Sequence, residues 1–187
     1  MATNSHETND RCACEAAKNF VDWYYRQVNE GKSIAQGYVN GNATYTAAGH
    51  PPADITINGL LVATPQEWEK LLEQQRYCPK QTDPNKKMVR YDVEGYNCHV
   101  INGDYRFAAP QKMLDLHSPT DGVRIMFLVR VHGTVYFGTG RNTGDEYFTK
   151  QDFYDLFILV PNWDILARPG AKAGRRYLVI SQIYRAN

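Results

Sequence analysis

Three long segments in the second half of this chain are apolar at both parities of an extended strand, and that pattern restricts the fold more than any other feature. In "DFYDLFILV", Phe153, Phe157 and Leu159 share one parity, while Tyr154, Leu156, Ile158 and Val160 share the other. "YLVISQIYR" sets Tyr177, Val179 and Ile183 against Leu178, Ile180 and Tyr184, and "GVRIMFLVRVHGTVYFG" is apolar on both sides throughout. An antiparallel sheet with one solvated face alternates cleanly between apolar and polar residues. These strands require cover on both faces, and for "GVRIMFLVRVHGTVYFG" a central place in the sheet. If the chain's own helices take one face, a partner subunit is the simplest cover for the other.

The first half supplies the helices. In "EAAKNFVDWYYRQVNEG" the residues Ala17, Phe20, Trp23, Tyr24 and Val28 recur at three- and four-residue steps, which predicts an amphipathic helix stopped at Gly31. A short helical turn is expected over "KSIAQGY". "NATYTAAG" reads as a first strand ended by His50-Pro51-Pro52, and "DITINGLLVA" as a second. In "TPQEWEKLLEQQ" Thr64 can cap a helix, Pro65 suits its first position, and Glu67 completes a capping box. Further on, "VRYDVEGYNCHVIN" alternates, but its apolar parity shifts at Gly95, which predicts a β-bulge and a bent strand. Helices first, then four long strands, gives an α+β fold with the helices on one face of an antiparallel sheet.

Length bounds the organisation at one domain of 187 residues. Residues 1–13 are expected to be a flexible, polar N-terminus, and residues 14–187 a single domain with long connections at 102–122, 138–147 and 161–175. The N-terminus has no apolar core of a signal peptide, and runs such as "IMFLV" fall far short of the ~18 residues of a membrane span. A soluble, intracellular protein without membrane association is expected. Cys12, Cys14, Cys78 and Cys98 are too irregularly spaced for a disulfide framework or a zinc site, so reduced thiols are expected.

The candidates for chemistry are few. His99 and His132 lie on predicted strands with Asp92 and Asp104 near in sequence, so a histidine–carboxylate pair in a pocket is conceivable. A strand histidine is more commonly a solvent-facing or hydrogen-bonded structural group, and no metal, nucleophile or phosphate-loop motif accompanies these two. No catalytic residue, metal or cofactor is therefore assigned. With 21 basic and 20 acidic side chains, bulk charge does not call for nucleic acid. Two local stretches are basic: Lys80, Lys86 and Lys87 in one, and Arg168, Lys172, Arg175 and Arg176 in the other. Both suit a solubilising surface or, more sharply, phosphate contacts on RNA. Arg185 ends an apolar strand on the parity of Val179, Ser181 and Ile183. A guanidinium buried there by a partner needs a carboxylate opposite it, whereas reaching around to solvent would need none.

Taken in order, these segments resemble the nuclear transport factor 2-like family. "AAKNFVDWYYRQVNEGKSIAQGYVNGNATYT" is similar to its first helices and strand, "YDVEGYNCHVING" to its bulged strand, and "FTKQDFYDLFILVP" with "YLVISQIYR" to its closing strands. The resemblance covers about residues 14 to 185 and implies a cone in which N-terminal helices pack on a strongly bent sheet. Within the family the likeness is greatest to the small subunits of fungal mRNA-export receptors. That implies a non-enzymatic protein that pairs through its sheet with the homologous domain of a large export subunit. It further implies FG-repeat nucleoporins, and RNA or pre-60S particles, as partners, and shuttling between nucleus, nuclear pore and cytoplasm. Arg185 matches an arginine used for an interfacial salt bridge, and Ile183, Ser181, Val179 and Asp155 are expected beside it. Asp155 stands where the family commonly has glutamine, and two such carboxylates near a two-fold axis would disfavour a homodimer. The alternatives are a dehydratase or isomerase built on the same cone, and a homodimeric Ran carrier, although no residue set for Ran matches.

Overall fold

The computed structural model describes residues 2–76, 89–137, 149–168 and 175–187, with backbone alone at 2–5 and 149. The long helix α1 (Ala2–Glu30) buries Ala13, Ala17, Phe20, Val21, Tyr24, Tyr25 and Val28 along one stripe. It stops where expected. Gly31 takes φ +64°, its N–H donates to Val28 O, and Lys32 N–H donates back to Gln27 O, which closes the last turn. At its other end the helix begins far earlier than the apolar spacing indicates, within the stretch expected to fray. Tertiary bonds account for this: Asn9 Nδ2 donates to Pro119 O at 3.4 Å and the Cys12 thiol to Asp121 O at 3.9 Å.

The next region corrects two expectations. "NATYTAAG" is not a strand but the short helix α2 (Ala43–Ala47), because Asn42 Oδ1 accepts from Tyr45 N–H and caps it. "DITINGLLVA" is two strands rather than one, β1 (Asp54–Ile57) and β2 (Leu60–Val62), joined by Asn58-Gly59. Both turn residues have positive φ, 50° and 84°, the conformation that this dipeptide adopts in tight hairpins. The turn expected at "KSIAQGY" is a single 3₁₀ turn at Ala35–Gly37. Helix α3 (Pro65–Gln75) starts as predicted, with Thr64 Oγ1 accepting from Glu67 N–H. The Glu67 carboxylate reaches back one residue further than in a standard capping box, to Ala63 N–H at 3.0 Å.

Four longer strands follow: β3 (Val89–Asn102), β4 (Met126–Phe137), β5 (Thr149–Pro161) and β6 (Tyr177–Ala186). Two short helices, α4 (Gln111–Leu116) and α5 (Trp163–Leu166), occupy connections expected to be irregular. The sheet runs β2-β1-β6-β5-β4-β3, antiparallel except that β1 lies parallel to β6. Its bend comes from extra residues. Glu94 is unpaired between Val93 and Gly95, so the predicted bulge exists one residue earlier than its glycine. Across from it Gly133 lets the backbones close up, since a Cβ there would lie 2.0 Å from Asp92 O. A second irregularity sits at Ile101 and a third at Ile180 in β6, where Ile158 pairs with Ser181 but Leu159 with Val179.

Helices α1 and α3 cover the concave face. Phe127, Val129, Val131 and Val135 of β4, Phe153, Phe157 and Leu159 of β5, and Val179 and Tyr184 of β6 are buried against them. Strand β4 is interior to the sheet as expected, yet among the described residues nothing covers its other parity at Arg130 and His132, which are exposed. Among the described residues no helix is long and apolar enough to cross a membrane.

Candidate functional site

Among the described residues no helix lies on the convex face of the sheet. Register places its side chains in rows: Leu61, Thr56, Ile183, Leu156 and Arg130 form one, Arg185, Tyr154 and His132 the next, and Ser181, Ile158 and Leu128 a third. Tyr154 is 54% exposed, Ile183 43% and Leu61 78%, with Leu128, Leu156 and Ile158 partly exposed between them. Beyond Ile158 the face closes, because the paired Val160 and Leu178 are buried. Two arginines stand in this apolar setting. Among the described residues neither Arg130 nor Arg185 has a carboxylate within ion-pair distance. Such a surface is apolar at its centre, carries unpaired cations, and offers an aromatic ring beside one of them, the composition of a protein-binding patch.

The structure brings Arg185, Ile183 and Ser181 onto this face and removes two residues expected with them. Val179 is fully buried on the concave side, because the extra residue at Ile180 reverses the parity of everything before it. Asp155 is also concave, 2% exposed, between Phe153 and Phe157. Its carboxylate accepts from Tyr25 OH at 3.0 Å and from Gln182 Nε2 at 2.9 and 3.1 Å. Gln182 Oε1 in turn accepts from Tyr38 OH, and Trp68 Nε1 donates to Tyr24 OH, which also meets Gln182. This closed network plugs the cone between α1, α3, β5 and β6. Desolvation holds the Asp155 carboxyl well above the ordinary carboxylate range, with the Gln182 and Tyr25 hydrogen bonds offsetting part of the rise. It likewise pushes the Tyr25 and Tyr38 hydroxyls up. Asp155 thus gives no argument about a homodimer, since it does not reach the surface on which two copies would meet.

The histidine–carboxylate pair is not assembled. His99 and His132 are exposed on the convex face, Asp92 pairs with Arg90 at 2.6 Å, and Asp104 pairs with Arg106 and Arg124. The His132 ring lies across Gly95, where a Cβ would come within 2.6 Å of Cε1. A groove of about 740 Å³ between α1 and β3, lined by Tyr25, Asn29, Tyr91 and Glu94 among others, contains no histidine. The described residues include no cluster of three or more potential metal ligands among His, Cys, Asp and Glu.

Of the basic residues, Arg168, Arg175 and Arg176 are exposed around α5 and the start of β6. Asn162 fixes that corner, its side chain donating to Arg175 O and its backbone N–H to Arg176 O. Lys80, Lys86, Lys87 and Lys172 lie outside the described residues, as does the connection expected at 138–147.

Comparison with solved structures is informative. A chain in the complex of a Sac3N peptide bound to Mex67:Mtr2 is 58% identical, superposes with a TM-score of 0.85, and is matched over 94% of this chain and 99% of its own length. The same values hold for the Chaetomium thermophilum Mex67 NTF2-like domain complexed with Mtr2. The structure of Mtr2 itself gives 56% identity and a TM-score of 0.83 over the same shares of both chains. No protein-family model matches the chain, and no curated protein does.

Proposed function

The chain belongs to the Mtr2 family of nuclear transport factor 2-like proteins, and from that premise we propose that it is the small subunit of a heterodimeric mRNA-export receptor. It docks its convex sheet face on the NTF2-like domain of a Mex67-type large subunit. The observation that carries this reading is the open apolar surface around Tyr154, Leu156 and Ile183, with Arg185 set in it and no carboxylate paired with it among the described residues. Covering the face removes those side chains from water, and a carboxylate on the large subunit supplies the missing partner of Arg185. The role is non-enzymatic. What supports this is the cone interior, filled by Tyr24, Trp68, Phe153, Phe157 and Tyr184 in the place where a substrate would have to sit. Working at nuclear pores and shuttling to the cytoplasm, the heterodimer engages FG-repeat nucleoporins and carries mRNA or pre-60S particles. The basic segments bearing Lys80, Lys86, Lys87, Arg168, Lys172, Arg175 and Arg176 supply phosphate contacts.

Co-expression with a Mex67-type large subunit, followed by mass measurement of the purified complex, tests the assignment. A one-to-one complex is expected, and Arg185→Glu is expected to abolish it while the lone chain keeps its native circular dichroism. A chain that stays monomeric beside the large subunit, or one that only pairs with itself, overturns the assignment. An unchanged dissociation constant for Arg185→Glu overturns the ion pair alone.

A further inference from the structure

We propose that Cys14 and Cys98 are an oxidant-responsive thiol pair that closes into a disulfide and staples α1 to the edge strand β3. The two residues are 84 positions apart, yet the fold brings their Sγ atoms to 3.3 Å. Cys14 is exposed on α1, open to a small oxidant, and Cys98 is half-buried on the concave parity of β3, opposite Val129. A disulfide needs about 2.05 Å between sulfurs, so closure asks for a shift of roughly 1.2 Å, within reach of side-chain rotation about a single bond. A metal does not explain the pair, since among the described residues no third ligand from His, Asp or Glu joins it. Cys12, two residues away, points elsewhere and donates to Asp121 O.

With a peroxide as the oxidant, the reaction proceeds in two steps. The sulfur of Cys14 attacks one peroxide oxygen, the O–O bond breaks, and the departing hydroxide takes the Cys14 proton as water, leaving a sulfenic acid. The sulfur of Cys98 then attacks the Cys14 sulfur. The S–S bond forms, the S–O bond breaks, and the sulfenic hydroxyl leaves with the Cys98 proton as a second water. Two thiols have given up one electron each, and hydrogen peroxide is reduced to two waters. Cys14, the exposed thiol of the two, is the first to be oxidised, while burial, and then the hydrogen bond with Cys14, push the Cys98 thiol up to about 12. In a reducing compartment the link is transient, present during oxidative stress and reversed by thiol exchange. Because it lies on the concave side, the link leaves the convex face free.

The test treats the purified full-length chain with hydrogen peroxide and follows intact mass, thiol titre after denaturation, and non-reducing peptide mapping. The expected result is a mass lower by two hydrogens, a fall in titratable thiols from four to two, and a peptide joining Cys14 to Cys98 that a dithiol reductant separates. Cys14→Ser, on the exposed side of the helix, is expected to abolish the link, and Cys12→Ser to leave it intact. A link through Cys12 or Cys78, addition of oxygen at Cys14 with no link, or four thiols remaining after treatment would each overturn the proposal.

Discussion

The two faces of one sheet are built on opposite plans. On the concave side apolar rings and hydrogen-bonded polar groups satisfy each other within the chain: Phe157 packs edge-on to Phe20 and Tyr24, with ring centroids at 5.0 and 4.9 Å, and Asp155 is enclosed by its donors. On the convex side the same strands present Tyr154, Leu156 and Ile183 with no layer over them and two arginines with no counter-ion among the described residues. One face is finished at folding and the other only by association. Mutations on the two sides should therefore separate stability from affinity.

Phe157→Ala on the concave face carries the largest expected effect. It opens a void where no exposed surface allows collapse, and such truncations cost about 3–5 kcal/mol of fold stability. Urea denaturation of the lone chain measures it. Binding of the large subunit then weakens only as far as less folded chain is available. A cost below about 1 kcal/mol would mean that the concave layer is not close-packed, and the contrast between the faces would fail.

Tyr154→Ala on the convex face should reverse the pattern. With the ring 54% exposed and opposite Arg185, its loss is expected to change the lone chain's stability by no more than about 0.5 kcal/mol. Affinity for the large subunit should fall by about 2 kcal/mol, or roughly 30-fold in Kd, as for an aromatic anchor at an interface centre. Isothermal titration alongside the denaturation curve reads both quantities. Equal losses in stability and affinity would show that Tyr154 supports this chain's own core rather than a partner.

How much of this contrast the sequence discloses depends on which signal is local. Helix spacing located the stripe of α1 and the Thr64-Pro65 start of α3, and double-sided apolar strands announced a face needing cover. Asn58-Gly59 is also a local hairpin signal, a faint one because the strands it joins are only four and three residues long. The start of α1 was not legible, since what anchors it, the bonds of Asn9 and Cys12, runs to a loop more than 100 positions away. The same holds for Val179. A bulge at Ile180 leaves no glycine or polar marker, so counting parity back from Arg185 carries the wrong face across it. Asp155 was readable in principle, because it shares parity with Phe153 and Phe157. Its charge argued for the surface, and only the facing Tyr25 and Gln182 make the buried position tolerable.

Asp155→Asn carries the smallest effect near pH 4 and tests whether the concave polar network is as closed as its hydrogen bonds indicate. In the unfolded chain this carboxyl titrates near the ordinary value of about 3.9. In the folded chain burial raises it well above that. Between the two values the folded form binds more protons than the unfolded form, so stability is greatest below the unfolded pKa and falls as pH rises through the folded one. An asparagine cannot ionise and lacks that slope. Near pH 4 the variant should lie within about 1 kcal/mol of the parent, the scale of one exchanged hydrogen bond. As pH rises toward neutrality the parent should lose stability relative to the variant. Denaturation of both proteins across pH, taken as a difference so that other carboxylates cancel, isolates the residue. A difference that is flat, or that moves in the parent's favour with rising pH, would mean that Tyr25 and Gln182 stabilise the ionised carboxylate at least as much as burial penalises it. The concave face would then hold a permanent charge, and the sheet would have a cation-bearing outer side set against an anionic interior.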